Sequence, residues 1–498
     1  MLKYFPHRQR KEKRTEKRKN NMGGIFGLCT SNECVTDLFF GTDYHSHLGT
    51  RRGGMAVFNG THYTRAIHNI ENSPFRTKFE DDIQEMNGCV GIGCISDEYP
   101  QPIILNSRIG TVGVVTVGKI NNKQELIRQL IDEEHVPLTA MSDGSINDTE
   151  LVAALICRKD NVPDGIRYVQ SKIDGSMTML VSADGGVYAA RDKYGRTPLF
   201  IGKKCGEESG YCASLESFAY VNLGYETCHA LGPGEVVFFT ATEMTTVCKP
   251  GNEMKMCTFL WLYYGFPTSD YEGTNVEEMR YRCGQSMAEQ DLANGTNVDV
   301  DYVAGIPDSG TPHAIGYANR SGIPFARPLL KYTSTWPRSF TPKDQSTRNL
   351  IAKMKLSPAD SLIKDKKLLF IDDSIVRGTQ LRGMMEGLSA HGAKELHGRM
   401  ACPPLLFNCR YLNFTRSVKE SDNIARRAII KLEGTETVSA SRLEPYTEFG
   451  TKQYNSMVEE IRTNLHFDTL EYHSLTGMLG SVGVDKCKLC TYCWTGKE

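Results

Sequence analysis

The stretch LLFIDDSIVRGTQ, residues 368–380, decides the fold of the carboxyl-terminal half. An apolar run that reads as a buried strand ends in two adjacent acids, Asp372 and Asp373. A loop with Ser374, Arg377, Gly378 and Thr379 then delivers the chain to a helix. That helix places Leu381, Met384, Met385 and Leu388 on one face and closes at His391-Gly392, and ELHGRMAC (395–402) reads as the next strand. Upstream, VDYVAGIP (300–307) runs through DSG (308–310) into the helical TPHAIGYANRSG (311–322). Strand, glycine loop and helix repeated in this way predict an open parallel α/β sheet, with ligands bound at the carboxyl ends of its strands.

The chemistry of 368–380 follows from its residue types. Backbone N–H groups and hydroxyls at a helix start make a phosphate cradle, aided by the helix dipole. Carboxylates repel phosphate but hold sugar hydroxyls or a hard cation such as Mg²⁺. Phosphate, ribose and metal at one strand end describe a site for a phosphoribosyl diphosphate. The competing reading makes Asp372 and Asp373 solvent-facing residues at a helix entry.

Ahead of this half, from Met22 to about residue 250, short β-rich runs alternate with Gly, Asn and Asp. Examples are GCVGIGCIS (88–96), RIGTVGVVTVG (108–118), SMTMLVS (176–182) and GVYAARD (186–192). Asn147 with Glu150 resembles a capping box, and Leu151, Val152, Leu155 and Ile156 follow at helical spacing. The expectation is an α+β sheet sandwich.

The net charge of −1 conceals a basic start: residues 1–20 hold nine Lys and Arg against two Glu, +7, which leaves −8 on the rest. Residues 1–21 are expected to be a disordered leader or to precede the native start at Met22. They lack a signal peptide's apolar core, and no later run reaches a membrane span of roughly 18 apolar residues. A soluble, cytoplasmic protein that takes neither nucleic acid nor membrane as its main partner is expected. Sixteen cysteines without an export signal point to buried thiols or metal ligands, and CKLCTYC, with Cys487, Cys490 and Cys493, has the most metal-like spacing.

Residues 368–380 resemble the PRPP (5-phosphoribosyl diphosphate) motif of type I phosphoribosyltransferases. From Met22 to the end the chain resembles the amidophosphoribosyltransferase family, which makes 5-phosphoribosylamine in the first step of purine synthesis. The resemblance implies an N-terminal-nucleophile-hydrolase-like sandwich over 22–255, a phosphoribosyltransferase domain over 256–470 and a cysteine-bearing segment over 471–498. It implies PRPP binding by Asp372, Asp373, Ser374, Arg377, Gly378 and Thr379, by Asp308, Ser309 and Gly310 of the pyrophosphate loop, by Lys331, and by Arg338, Gln345 and Arg348 of a mobile loop. YTSTWP (332–337) departs from the family pattern before that loop. Ser309, Asp372 and Asp373 are the implied Mg²⁺ residues. Cys257, Cys409, Cys490 and Cys493 match the ligands of a structural [4Fe–4S] cluster, and four thiolates would also suit zinc.

The glutaminase chemistry of that family is not in the sequence. The nucleophilic cysteine position is Gly23, and the oxyanion Asn-Gly-Asn reads Val117-Gly118-Lys119. The arginine for the glutamine carboxylate falls at Ser96, and the acid for the substrate amine remains as Asp148, which a helix cap would also explain. Cys29 has no terminal amine to serve as its base and is not expected to replace the nucleophile. The expected activity is therefore phosphoribosyl transfer from PRPP to ammonia or another amine, with no glutaminase. Purine nucleotides as inhibitors, a homo-oligomer and a separate glutaminase subunit are the further partners expected. The alternative is a non-catalytic regulatory or scaffold homologue that binds PRPP or nucleotide.

Overall fold

A computed structural model describes residues 22–139, 141–142, 145–331, 356–414 and 419–498. Its amino-terminal half is two stacked antiparallel sheets. One has seven strands and is centred on Gly24–Thr30, which pairs with Gly210–Ser214 on one side and Val90–Ser96 on the other. The second has six strands and is centred on Gly110–Ile120, Gly175–Ala183 and Gly186–Ala190.

The side-chain period of two explains why these strands read as nearly continuous apolar runs. In Gly110–Ile120, Val115 and Val117 face the core between the sheets, while Val112 and Val114 face the helices Asp148–Ile156 and Val162–Lys172. Val187 and Ala189 likewise face inward, and Tyr188 and Ala190 outward. With helix Val35–Asp43 on the far side of the seven-stranded sheet, the layers run helix, sheet, sheet, helix. The capping box is only half present. Asn147 accepts the N–H of Thr149, but the Glu150 carboxylate turns to the Thr139 N–H and hydroxyl.

The carboxyl-terminal half is a parallel sheet in the order Tyr302–Gly305, Lys367–Asp372, Glu395–Met400, Thr469–Tyr472. Helices Gly310–Ser321, Thr379–Ala390 and Lys452–Leu465 connect or flank these strands. Leu381, Met385 and Leu388 of the second helix are buried, as their spacing predicts, with Met384 at the edge. The two halves share one apolar core, in which Trp261, Met279 and Val482 are continuous with the sandwich interior. Among the described residues no helix is long and apolar enough to cross a membrane.

Candidate functional site

The parallel strand Lys367–Asp372 ends with its two acids at the rim of the sheet. Asp373 is buried at 5% exposure, which excludes a solvent-facing helix entry. Its carboxylate accepts the Ser374 hydroxyl at 2.7 Å and is also hydrogen-bonded to Ser309, while its N–H donates to Asp372 Oδ1 at 2.9 Å. Burial pushes both carboxyls above the usual range, and for Asp372 the charge of Asp373 adds to the effect. Among the described residues neither acid forms an ion pair with a lysine or arginine. Arg280, buried behind them, spends its donors on the carbonyls of Trp261, Tyr263 and Gly265.

The DSG turn reaches the same point from the neighbouring strand. Ile306 N–H donates to Ile371 O at 2.9 Å, and a Cβ on Gly310 would stand 2.2 Å from that carbonyl, so glycine is the residue that lets helix Gly310–Ser321 start against the strand end. Lys331 Nζ pairs with Asp308 Oδ2 at 2.6 Å, both half-exposed or more. Gly378 adopts a left-handed φ of +74° and starts helix Thr379–Ala390, with no side chain capping its N-terminus. Arg377 lies outside them, 3.7 Å from Asp422. The structure thus brings Ser309, Gly310, Asp372, Asp373 and Ser374 together, with Lys331 paired to Asp308 on the DSG turn and Arg377, Gly378 and Thr379 following along the loop. Arg338, Gln345 and Arg348 lie outside the described residues.

A second group of sequence-singled residues meets at the edge of the sandwich. Gly23 has φ +96° and donates its N–H to Leu48 O at 2.8 Å; a Cβ there would stand 2.8 Å from Ile95 O. Next along, Ser96 Oγ accepts the N–H groups of Glu98 and Tyr99 at 3.2 and 3.3 Å. The Tyr99 hydroxyl receives Lys123 Nζ at 2.9 Å, and Lys123 reaches Asp148 at 2.5 Å. Burial raises the Asp148 carboxyl and Lys123 opposes that rise; burial lowers the Lys123 ammonium and Asp148 more than restores it. Asp148 is therefore not a cap, a part taken by Asn147, but one half of an ion pair with 14% of its side chain exposed. Lys123 is missing from the sequence reading because no motif spacing links it to Asp148. Cys29 is buried, its thiol pushed up to about 11 by desolvation, with Sγ on Gly185 O at 3.8 Å.

The four cysteines line one narrow pocket between the halves. Cys257 and Cys490 lie opposite each other in a short parallel strand pair, and Cys409 and Cys493 are hydrogen-bonded to each other. That bond, against burial, holds the Cys409 thiol down at about 7, helped by the Tyr411 and Leu412 N–H groups and the charge of Lys119. Arg196 Nη1 donates to Cys490 Sγ at 3.7 Å. Among the described residues no three His, Cys, Asp or Glu side chains are gathered closely enough to share a single metal ion. Cys487 is exposed.

A glutamine amidotransferase domain model matches residues 92–218. The chain is 28% identical to amidophosphoribosyltransferase of Methanocaldococcus jannaschii, over 96% of this chain and 97% of that one. It is 26% identical to the Mus musculus enzyme over 95% and 96%. In three dimensions it superposes on the glutamine PRPP amidotransferase of B. subtilis, solved with ADP and GMP, with TM-score 0.80 and 27% identity over 95% and 96% of the two chains. The chain is thus similar to amidophosphoribosyltransferases along nearly its whole length. A second solved relative, described as the allosteric regulatory enzyme of purine biosynthesis, gives TM-score 0.79 at 27% identity. The likeness shows the fold, a glutaminase-type sandwich followed by a parallel sheet of the phosphoribosyltransferase type.

Proposed function

We propose that the protein transfers the phosphoribosyl group of PRPP to ammonia or another small amine, forming 5-phosphoribosylamine in the ammonia case, and that its amino-terminal domain does not hydrolyse glutamine. The observation that carries the first half is the acid pair at a parallel strand end, Asp373 buried and hydrogen-bonded to Ser309 and Ser374 with Asp372 half-buried beside it, neither in an ion pair among the described residues. Burying a carboxylate without an ion-pair partner costs stability, which the Arg280 charge behind Asp373 offsets only in part, and such a group is kept where a ligand will meet it.

The N–H groups and hydroxyls of 374–379 hold the 5-phosphate, and Asp372 and Asp373 take ribose hydroxyls and the cation. The 308–310 turn and Lys331 face the pyrophosphate, with Arg338, Gln345 and Arg348 completing its charge neutralisation. The amine nitrogen attacks C1, the C1–O bond to pyrophosphate breaks, and the electron pair leaves with pyrophosphate. Orientation and exclusion of water carry the rate, and no side chain need form a covalent bond. Mg²⁺ held by few protein ligands and by substrate phosphates needs no all-protein cage, so Ser309, Asp372 and Asp373 suffice as its protein side. When bound, it neutralises the leaving pyrophosphate.

Support for the second half comes from Gly23, which lacks a nucleophile and whose φ and Ile95 contact resist one. Asp148, the family's holder of the substrate amine, is already satisfied by Lys123. At the cysteine pocket, a single zinc ion needs thiolates about 3.8 Å apart, from Zn–S bonds of about 2.3 Å. Because no three of these thiols are gathered around one point among the described residues, we assign the pocket to a wider iron–sulfur cluster on Cys257, Cys409, Cys490 and Cys493, with Arg196 and Lys119 offsetting its charge. Division at 255/256 and 470/471, a cytoplasmic homo-oligomer and inhibition by purine nucleotides complete the reading. The test is pyrophosphate release from Mg²⁺-PRPP with ammonium and with glutamine side by side. Release with ammonium alone supports the proposal; no release with any amine above an Asp373→Asn control overturns it and leaves a binding homologue.

A further inference from the structure

Three of the four pocket cysteines sit on regular structure: Cys257 and Cys490 on paired strands, Cys493 on the short helix Tyr492–Thr495. Cys409 lies in the segment 401–414, which is neither strand nor helix, so its place depends on individual contacts. The contacts from the sandwich come from the segment that stands where the family has its oxyanion motif. Lys119 Nζ donates to Cys409 O at 3.0 Å, and Asn121 Nδ2 donates to Arg410 O at 3.2 Å. In return Asn413 Nδ2 donates to Gly118 O at 2.8 Å. Arg410 pairs with Asp174 at 3.3 Å, and the Asp174 carbonyl accepts Asn121 N–H at 2.8 Å.

We infer that residues 118–121 form a clamp on the Cys409 segment, with Lys119 a positioning residue for that cysteine. The residue types suit the part. A lysine's stem carries its ammonium across to the opposing carbonyl, whereas an asparagine at the same position ends two atoms sooner. Lys119 is half-buried between the halves, where a charge-assisted hydrogen bond is worth more than on an open surface. The segment that stands in place of the family's oxyanion motif thus supplies a structural tie. The inference rests on the contact geometry and is independent of phosphoribosyl transfer.

The test is native-state alkylation of the full-length protein with iodoacetamide, followed at each cysteine by mass spectrometry. At pH 9, where the loss of the Lys119 charge changes the thiolate fraction least, Lys119→Met is expected to raise the labelling rate of Cys409 about tenfold, the effect of losing one charge-assisted hydrogen bond. Lys119→Arg, which keeps a long cationic donor, should return the rate towards wild type. Cys94, buried in the sandwich far along the chain from this loop, should stay unlabelled in both. Asn413→Ala removes the reciprocal bond from the opposite side and should act in the same direction, which keeps the test open if the lysine variant folds poorly. Equal Cys409 rates in wild type, Lys119→Met and Asn413→Ala would overturn the inference, as would a parallel rise at Cys94.

Discussion

The two acid-bearing sites of this molecule treat charge in opposite ways. At the rim of the parallel sheet, Asp372 and Asp373 are adjacent and raised by burial, and among the described residues no basic side chain pairs with them. At the edge of the sandwich, Asp148 is paired with Lys123, which also sits over the Tyr99 ring at 4.6 Å and bonds its hydroxyl. An unpaired buried carboxylate is destabilising, so a site keeps one only where a ligand supplies the missing charge. Where no ligand comes, an internal cation is the stable solution. The contrast separates a site held ready for a charged ligand from one satisfied from within.

The largest expected effect lies at the first site. Asp373→Asn should lower ammonium-dependent pyrophosphate release about 10²-fold or more, the scale of losing one preorganised electrostatic group. Full activity in that variant would break the comparison. At the second site, Lys123→Met leaves Asp148 buried and unpaired. It should cost about 2–4 kcal/mol in chemical denaturation, with the ammonium-dependent rate unchanged. An unaltered midpoint would mean that the pair is not what satisfies this pocket.

Smaller again is Gly23→Cys, which restores the family's nucleophile in name. A side chain at φ +96° facing Ile95 O should cost about 1–3 kcal/mol and give no glutamine-dependent pyrophosphate release. Glutamine use by this variant would show that one residue had silenced the domain. The smallest effect has the opposite sign. Asp372 binds its proton more tightly folded than unfolded, so between the unfolded value of about 4 and the raised native value the folded state carries more proton. Stability attributable to this group therefore falls as pH rises through that window. Asp372→Asn should raise the melting temperature of the ligand-free protein at neutral pH and lose that advantage near pH 4, while activity falls.

Legibility in the sequence followed the range of the interaction. Strands such as Gly110–Ile120 and the helix Thr379–Ala390 could be read because their period is local. The loop 368–380 could be read because strand end, acids and helix start are consecutive. The half-formed capping box could not, because Glu150 has a competing partner in Thr139 that local spacing does not reveal. Nor could Lys123 at Asp148, or Lys119 at Cys409, 290 residues away.

By itself, then, the sequence determined the two-part architecture, the acids and glycines of the 368–380 loop, the four cysteines and the absence of a nucleophile at Gly23. All of these are properties of residue type and short-range order. The tertiary structure alone decided which charges are met and which are left bare. It buried Asp373 beside a half-buried Asp372 with no ion-pair partner for either among the described residues, closed Lys123 onto Asp148, and set Lys119 against the Cys409 loop. Burial and pairing depend on what distant segments bring to the same place, and that is fixed only when the chain is folded.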